Sequence, residues 1–320
     1  MQTTAVLPDA YVVRPPEPSD AEAIFSLIAA YNTAVVGFAD CTLDDVVDDL
    51  AEPGFDRQAD AWLVTTADGR PVGYGTAFGK GDRQLVELDV IGQDPAVAGW
   101  LFERTLLRAL ELGRESGHAR ISVDTNLYRD DDLLRGLVAD RGFTARTTYH
   151  RMRIDHAGPV GQPRPPVGTL VRRGAPDDAT RRAAYAVLNE CFQGQFGFVT
   201  RPYDEWHEAR ETRSTFDWSQ LTLLEVGGRA VAMRECSDDF VEDENCGYIG
   251  RLGVVKTARG RGLAQFLLRD AFALDAAAGR AGTILHVDTG NPTPALGLYL
   301  SVGMRATLVI DAWRQVLPTG

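Results

Sequence analysis

The chain carries the sequence RGRGLA at residues 259–264, directly after a short apolar run from Leu252 to Val255. From Leu263 to Ala278 apolar residues recur at helical spacing. This order predicts a strand, a glycine-rich turn and a helix. Because a helix N-terminus presents backbone N–H groups and a positive dipole end, the turn is suited to binding a phosphate.

The residue types within this turn fit the same ligand. Gly260 and Gly262 lack the Cβ atoms that would hinder a close approach of the phosphate to the backbone. Arg259 and Arg261 can add charge-assisted hydrogen bonds to the phosphate oxygens. The hexapeptide alone also fits an ordinary turn before a helix, so the surrounding sequence has to distinguish the two interpretations.

A second block follows, with an expected strand from Thr283 to Thr289, then Asn291 and the sequence ALGLYLSVGM at residues 295–304. The two blocks, in this order, resemble the GCN5-related N-acetyltransferase (GNAT) superfamily. The coenzyme A loop of that family reads Arg/Gln-x-x-Gly-x-Gly/Ala, and its next block reads Asn, Ala, Leu-Tyr and Gly-Phe. The matching residues here are Arg259, Gly262 and Ala264, and then Asn291, Ala295, Leu298, Tyr299, Gly303 and Met304.

The resemblance implies an N-acetyltransferase that moves an acetyl group from acetyl-CoA to a primary amine of a small molecule, without a metal. In the family, the backbone of a central strand pairs with the pantetheine arm, and a backbone N–H there polarises the thioester carbonyl. Here this implies Leu252, Gly253 and Val254, with the N–H of Val254 at the carbonyl. The resemblance implies that the following turn binds the pyrophosphate. The cofactor residues implied in this turn, at the start of the next helix and in the second block are Arg259, Gly260, Arg261, Gly262, Leu263, Ala264 and Asn291.

Two residues are the candidates for proton transfer. Tyr299 matches the family's tyrosine near the thioester sulfur and is the candidate acid for the leaving thiolate, although the leucines around it also fit a packed core tyrosine. His286 is the candidate base, because histidine titrates near neutral pH. A hydrogen-bonded structural histidine and ordered water remain alternatives, and five carboxylates compete for the role of base: Glu235, Glu242, Asp243, Glu244 and Asp288.

Composition narrows the function classes. The net charge of −12 and the pI of about 4.9 argue against a nucleic acid partner. The four cysteines form no CxxC pair, which predicts reduced thiols in a cytoplasmic protein and no zinc site. The N-terminus has no basic and apolar segments typical of a signal peptide, and no apolar run is long enough to span a membrane.

An internal repeat divides the 320 residues. Residues 69–72 match residues 228–231, residues 123–125 match residues 287–289, and residues 141–143 match residues 302–304, at nearly constant offset. Each half predicts an early helix, a hairpin, a central strand, a long helix, a strand, a short helix and a last strand. We therefore expect an α+β (mixed α/β) fold of tandem GNAT domains, each a central, mostly antiparallel sheet flanked by helices.

The predicted boundaries are residues 1–155, a Pro/Gly-rich linker at residues 156–168, and residues 169–320. At the offset of 164 given by residues 123–125, Arg259 falls on Pro95, Gly262 on Ala98 and Ala264 on Trp100. Proline removes a donor from the phosphate cradle. We therefore expect a degenerate, non-catalytic N-terminal domain, in a tandem arrangement like that of actinobacterial mycothiol synthases.

Several points stay open on sequence alone. The same fold could transfer aminoacyl or longer acyl groups, or could act as a coenzyme A sensor or scaffold without turnover. Acceptor contacts are expected from residues 192–203, whose Phe, Gln and Gly content fits a loop with aromatic walls. The chain is expected to be a monomer or a homodimer.

Overall fold

The computed structural model describes residues 7–290 and 295–320 and divides the chain into two compact units. The N-terminal unit runs to Thr148 and also includes Val309–Gly320, and the C-terminal unit comprises Tyr149–Leu308. Each unit is a mixed α+β body built on a run of six neighbouring strands, called its sheet, which confirms the predicted fold class.

The first half of the chain has the element order expected from its sequence. Its elements are β1 (Tyr11–Arg14), α1 (Ala21–Val36), α2 (Leu43–Leu50), α3 (Arg57–Asp60), β2 (Ala61–Thr66), β3 (Pro71–Lys80), β4 (Leu85–Ile91), α4 (Pro95–Glu115), β5 (Arg120–Tyr128), α5 (Asp132–Asp140) and β6 (Thr144–Asp155).

The second half repeats this order with two helices instead of three between its first two strands and with an additional short helix before its central strand. Its elements are β7 (Thr169–Arg173), α6 (Asp178–Phe192), α7 (Tyr203–Glu211), β8 (Leu221–Val226), β9 (Arg229–Ser237), α8 (Val241–Glu244), β10 (Cys246–Val254), α9 (Leu263–Ala277), β11 (Gly282–Asp288), α10 (Ala295–Ser301) and β12 (Arg305–Pro318).

The two sheets have the same plan. The order is β1-β2-β3-β4-β5-β12 in the N-terminal unit and β7-β8-β9-β10-β11-β6 in the C-terminal unit. In each sheet one neighbouring pair is parallel, β4 with β5 and β10 with β11, and the other pairs are antiparallel. Two parallel neighbouring strands can only be joined by a connection that returns to the same end of the sheet. The long helices α4 and α9 form these crossover connections.

Each sheet is completed by a strand from the other half of the sequence. Residues 149–155 of β6 pair with β11, from Tyr149↔Asp288 to Asp155↔Gly282. The last strand of the chain pairs with β5, from Ile310↔Tyr128 to Pro318↔Arg120. The predicted ranges 1–155 and 169–320 therefore differ from the observed units in these two strands, because alternating strands of similar composition do not specify which sheet edge they join.

In the C-terminal unit, α9 and α10 cover one face of the sheet and α6 lies against the other. Ile249, Leu285 and Val287 pack in one cluster with Leu268 and Phe272 of α9. On the opposite face, a Cβ atom built on Gly253 would lie 2.8 Å from the Cβ of Cys191 in α6. Only glycine at this position lets the end of α6 approach β10 so closely.

Candidate active site

The two parallel strands at the centre of the C-terminal sheet separate part of the way along. The pairing of β10 with β11 ends at Ile249↔Leu285, although β10 continues to Val254 and β11 to Asp288. On its other side, β10 remains paired with β9, with a register shift between Ile249 and Arg251. A bulge of this kind bends the strand. The edge of β10 from Gly250 to Val254 therefore has no strand partner on the β11 side within residues 7–290 and 295–320.

The backbone groups on this open edge are those of alternate residues. Val255 donates its N–H to the carbonyl of Val231 at 2.9 Å. Because hydrogen-bonded and non-hydrogen-bonded pairs alternate in an antiparallel ladder, Val254 and Leu252 point their N–H and C=O groups away from β9. Arg259 Nε reaches the carbonyl of Val254 at 3.1 Å from this side. An extended chain with amide groups can therefore form hydrogen bonds along Leu252 to Val254.

The turn after β10 leads into the uncapped N-terminus of α9. A 3-10 turn at Lys256–Ala258 precedes Gly260 and Gly262, whose φ angles are +75° and +76°. Gly262 is the N-cap residue of α9 and provides no side-chain hydrogen bond to the first turn. The first N–H groups of a helix have no intrahelical acceptor, so they are available to an anionic ligand at this end.

The glycines of the turn are required for a different reason from the one expected, whereas its arginines remain available for a phosphate. A Cβ atom on Gly260 or Gly262 would meet nothing within 4 Å, so the two positions need glycine for their left-handed backbone rather than for space. The Nε atom of Arg259 donates to a backbone carbonyl of β10, and this bond does not use the two terminal nitrogens of the side chain. Among the described residues no carboxylate pairs with Arg259 or Arg261, so both guanidinium groups can bind phosphate oxygens.

The N-terminal unit has a different structure at the equivalent position. Only residues 92–94 connect β4 with α4, whereas residues 255–262 connect β10 with α9. Asp94 caps α4, and its carboxylate accepts the N–H of Ala96 at 2.8 Å. A negative charge thus occupies the place where a phosphate would bind. The first residues of α4 and α9, Pro95 and Leu263, are 168 residues apart. The sequence alignment at offset 164 was therefore wrong by four residues at the start of these helices.

Tyr299 lies beneath the point where β10 and β11 separate. It is buried in the same cluster as Ile249, Leu285 and Val287, which line the end of the ladder on the α9 face. Burial raises the pKa of its phenol to about 12, so the hydroxyl stays protonated at neutral pH. No hydrogen-bond partner of this hydroxyl occurs among the described residues. The ring packs as a core residue while the hydroxyl can still donate to a ligand.

His286 lies on the opposite face of the sheet from Tyr299, since its neighbours Leu285 and Val287 face α9. Its Nδ1 atom is 3.0 Å from the hydroxyl of Tyr248, and its ring stands edge-on to that of Tyr248. Burial, and then the charges of Arg151 and Arg251, lower the pKa of His286 to about 4. The imidazole is therefore neutral at physiological pH and has one ring nitrogen as an acceptor.

Arg151 belongs to this group, although the sequence analysis did not single it out. It pairs directly with His286 across β6 and β11, and its side chain is 2% exposed. The guanidinium forms an ion pair with Glu244 and lies over the ring of Phe240 at 4.5 Å. The residue was missed because β6 precedes the linker in sequence and was assigned to the other domain.

Most of the carboxylates proposed as competing bases have structural partners. Both oxygens of Glu235 accept from Arg210, at 2.8 and 3.0 Å. Glu244 is bound by Arg151 and Arg153. Asp288 accepts the N–H of Gly290 at 2.8 Å. These contacts do not favour the three residues as bases.

The other two candidate carboxylates lie together on one short helix. Glu242 and Asp243 lie on the short helix α8, where burial and then its acidic neighbours raise the pKa of Asp243. Asn291 lies outside the described residues. Among residues 7–290 and 295–320, no cluster of His, Cys, Asp or Glu could hold a metal, and no helix is long and apolar enough to cross a membrane.

The segment expected to form acceptor contacts begins beside this site. The end of α6 brings Phe192 next to Gly253, where a Cβ atom would lie 3.3 Å from the ring. The rings of Phe192 and Phe198 lie 5.8 Å apart, and the hydroxyl of Tyr185 donates to the carbonyl of Arg201 at 2.6 Å. The segment between α6 and α7 is therefore an ordered loop with aromatic side chains next to β10.

Comparisons with known proteins agree with this geometry. The model of the acetyltransferase (GNAT) family matches residues 182–304, which include β10, the turn, α9 and α10. No curated protein sequence matches the chain significantly.

Solved structures with the same fold cover nearly the whole chain. A GCN5-related N-acetyltransferase from Sphaerobacter thermophilus is 23% identical with a TM-score of 0.81, and 98% of each chain is covered. A tandem GNAT protein from the clavulanic acid biosynthesis pathway is 15% identical with a TM-score of 0.69, covering 97% of this chain and 99% of that protein. The N-myristoyltransferase of Saccharomyces cerevisiae, solved with bound myristoyl-CoA, is 10% identical with a TM-score of 0.64, covering 98% and 80%.

At these identities the structures establish the fold, and the family match is confined to the C-terminal part of the chain. Together with the open strand edge and the uncapped helix, they support the GNAT acetyltransferase family and acyl-CoA-dependent acyl transfer in general. The chain has a tandem GNAT fold, and its residues 182–304 match the GNAT acetyltransferase family.

Proposed function

We propose that the protein is an N-acetyltransferase that moves an acetyl group from acetyl-CoA to a primary amine of a small molecule. The observation that carries this proposal is the combination of an open β10 edge with the uncapped N-terminus of α9 and two arginines that have no carboxylate partner among the described residues. The edge suits the amides of the pantetheine arm, and the helix end with its arginines suits the pyrophosphate.

In the proposed reaction the thioester lies where β10 and β11 separate. The N–H of Val254, on the open edge, polarises the thioester carbonyl. The amine approaches from the face of Tyr248 and His286, and the bond between sulfur and the acyl carbon breaks as the bond from nitrogen to carbon forms. From the opposite face, Tyr299 donates a proton to the departing sulfur. The two proton-transfer groups thus act from opposite sides of the sheet.

The low pKa of His286 defines its part in this reaction. Transfer of a proton from an alkylammonium, with a pKa near 10, to an imidazole of pKa about 4 is unfavourable by roughly 8 kcal/mol. His286 therefore acts on an amine that is already neutral, by accepting its hydrogen bond and then the proton that becomes acidic as the new bond forms. This differs from the role of a base that titrates near neutral pH, which the sequence suggested for His286.

The N-terminal unit is proposed to be non-catalytic. The shortened connection before α4 and the carboxylate of Asp94 at its N-terminus leave no anion-binding turn there. The chain is accordingly expected to bind one acetyl-CoA, in the C-terminal unit. The likeness to mycothiol-synthase-like proteins, a cytoplasmic location and a monomeric or homodimeric state belong to this proposal as well.

The experiment that tests the function is an assay of coenzyme A release from the full-length protein with acetyl-CoA and a panel of small amines. Amine-dependent release of free thiol is expected. Binding of acetyl-CoA without release for any amine would favour the sensor or scaffold. A parallel series of longer acyl donors addresses the alternative of longer-chain transfer, which is suggested by the shared fold of the myristoyl-CoA-bound N-myristoyltransferase.

Replacement of Tyr299 by phenylalanine is expected to lower turnover about 100-fold, the usual contribution of a general acid. The variant keeps the ring that packs against Ile249 and Leu285, so its thermal stability and its acetyl-CoA affinity are expected to change little. Steady-state thiol release and calorimetric titration measure the two properties. Full turnover in Tyr299→Phe would mean that the residue serves packing alone.

Replacement of His286 by asparagine tests the proposed acceptor role. Asparagine can keep a polar contact with Tyr248 and removes the second ring nitrogen, so the rate is expected to fall about 100-fold. The rising limb of the pH–rate profile is expected to follow the pKa of the substrate amine in both proteins, because burial lowers the pKa of His286 to about 4.

Thermal melts at several pH values provide the control for this variant. Folding lowers the pKa of His286, so its contribution to stability is present above pH 6.5 and is lost as the pH falls toward 4. The asparagine variant is expected to lose less stability than the wild type over that range. A folded variant with unchanged rates would exclude His286 from the chemistry.

A further inference from the structure

We propose that the acceptor amine also carries a carboxylate, and that Arg251 binds this group beside the reaction site. The inference rests on the proposed function and specifies its substrate class. It concerns the face of the C-terminal sheet that holds His286 and Tyr248.

Strand geometry places Arg251 on that face. Directly opposed residues on neighbouring strands share a face, and Arg251 opposes Glu235 whereas Ile249 opposes Cys236. Ile249 and Cys236 pack in the cluster beneath α9. Arg251 and Glu235 therefore lie on the other face, with Tyr248, and the effect of Arg251 on the pKa of His286 agrees with this placement.

Most of the Arg251 guanidinium has no partner among the described residues. Its side chain is exposed, and its Nη1 atom donates to the carbonyl of Gly250 at 2.7 Å, which leaves the rest of the guanidinium available. Glu235, directly opposite, is engaged by Arg210 through both carboxylate oxygens. No carboxylate among the described residues forms an ion pair with Arg251.

The other charged groups near His286 and Tyr248 carry both signs, because Arg213 and Asp239 also act on the pKa of Tyr248, in opposite directions. Arg151 is paired with Glu244, which also binds Arg153. Of the two guanidinium groups that lower the pKa of His286, Arg251 is therefore the one that forms no ion pair with a described residue.

This local charge is opposite to that of the whole chain, whose net charge is −12. An amine whose only charge is positive would be repelled at this face, whereas a carboxylate would be attracted and held. One guanidinium presents a planar fork of donors that matches one planar carboxylate. Arg251 lies on β10 at the start of the open edge, so a carboxylate bound there would position the amine beside the proposed thioester site.

The test compares pairs of amines that differ only in the carboxylate, such as an amino acid and its carboxamide, with acetyl-CoA and the full-length protein. For the wild type, kcat/KM is expected to be about 10- to 100-fold higher for the amine with the carboxylate, the range for one charge-assisted hydrogen-bonded contact. Arg251→Gln is expected to remove this preference by raising KM for the acid, with the rate for the carboxamide nearly unchanged. Arg251→Lys is expected to restore part of it.

Arg269→Gln is the matched control, because Arg269 is an exposed arginine on α9 in the same unit, away from this face. It is expected to keep the wild-type preference. A wild type that acetylates the carboxamide as well as the acid, or an Arg251→Gln variant that keeps the preference, would overturn the inference while acyl transfer stands. Absence of thiol release with every amine would instead contradict the proposed function.

Discussion

Replacement of Gly262 by aspartate is expected to weaken acetyl-CoA binding by on the order of 100-fold or more. The substitution places a carboxylate at the N-cap of α9, beside the N–H groups proposed to bind the pyrophosphate. It introduces into the C-terminal unit the type of cap that Asp94 provides for α4. Calorimetric titration is expected to give one site per chain for the wild type and no measurable site for the variant.

Two controls separate charge from backbone strain. Gly262→Asn has the same shape without the charge and is expected to retain most of the affinity. Gly279→Asp places the same residue at the other end of α9, where the glycine also has a φ of +76° and open space around it. Both aspartate variants then carry a similar backbone strain, and only Gly262→Asp is expected to lose the ligand. Unchanged affinity in Gly262→Asp, or two equal sites in the wild type, would show that the site has been placed wrongly.

Replacement of Arg314 by methionine is expected to destabilise the N-terminal unit by about 3–5 kcal/mol at neutral pH. Arg314 of β12 binds Asp124 of β5 through two hydrogen bonds, at 2.5 and 2.6 Å, and Asp124 is 3% exposed. The variant leaves this carboxylate buried without its guanidinium. Chemical denaturation of the full-length protein measures the loss.

The pH dependence and matched variants identify the cause of that loss. Burial already raises the pKa of Asp124, and removal of Arg314 raises it further, so the deficit is expected to shrink as the pH falls and the carboxyl is protonated. Asp124→Leu combined with Arg314→Met is expected to recover much of the stability. Arg305→Met removes an exposed ion pair with Asp155 at the start of the same strand and is expected to cost less than about 1 kcal/mol. Equal losses in Arg305→Met and Arg314→Met would contradict the role of the buried pair.

The exchanged strands also determine how the chain can be divided for experiments. Residues 149–155 lie in the C-terminal unit, and residues 309–320 lie in the N-terminal unit. A fragment of residues 169–320 would lack the strand that carries Arg151, and a fragment of residues 1–155 would lack the partner of β5. Binding and activity are therefore best measured on the full-length chain.

Local sequence was sufficient to predict the fold class, the early helix and hairpin of each half, and the glycine turn before α9. The early helix and the hairpin expected in each half are present, as α1 with β2 and β3 and as α6 with β8 and β9. The glycines before α9 have the left-handed backbone that only glycine adopts readily, so their spacing identifies the turn directly. These features depend on a few adjacent residues, and for that reason a sequence can specify them.

Tertiary structure decided the features that depend on residues distant in sequence. The strand that joins each sheet edge is fixed by packing and register between the two halves, and this brings Arg151 beside His286. The pKa of His286 depends on burial and on Arg151 and Arg251, neither of which is its sequence neighbour. Free energies of desolvation and charge interaction are set by distances in the folded chain, so a residue type that usually titrates near neutral pH is held neutral here.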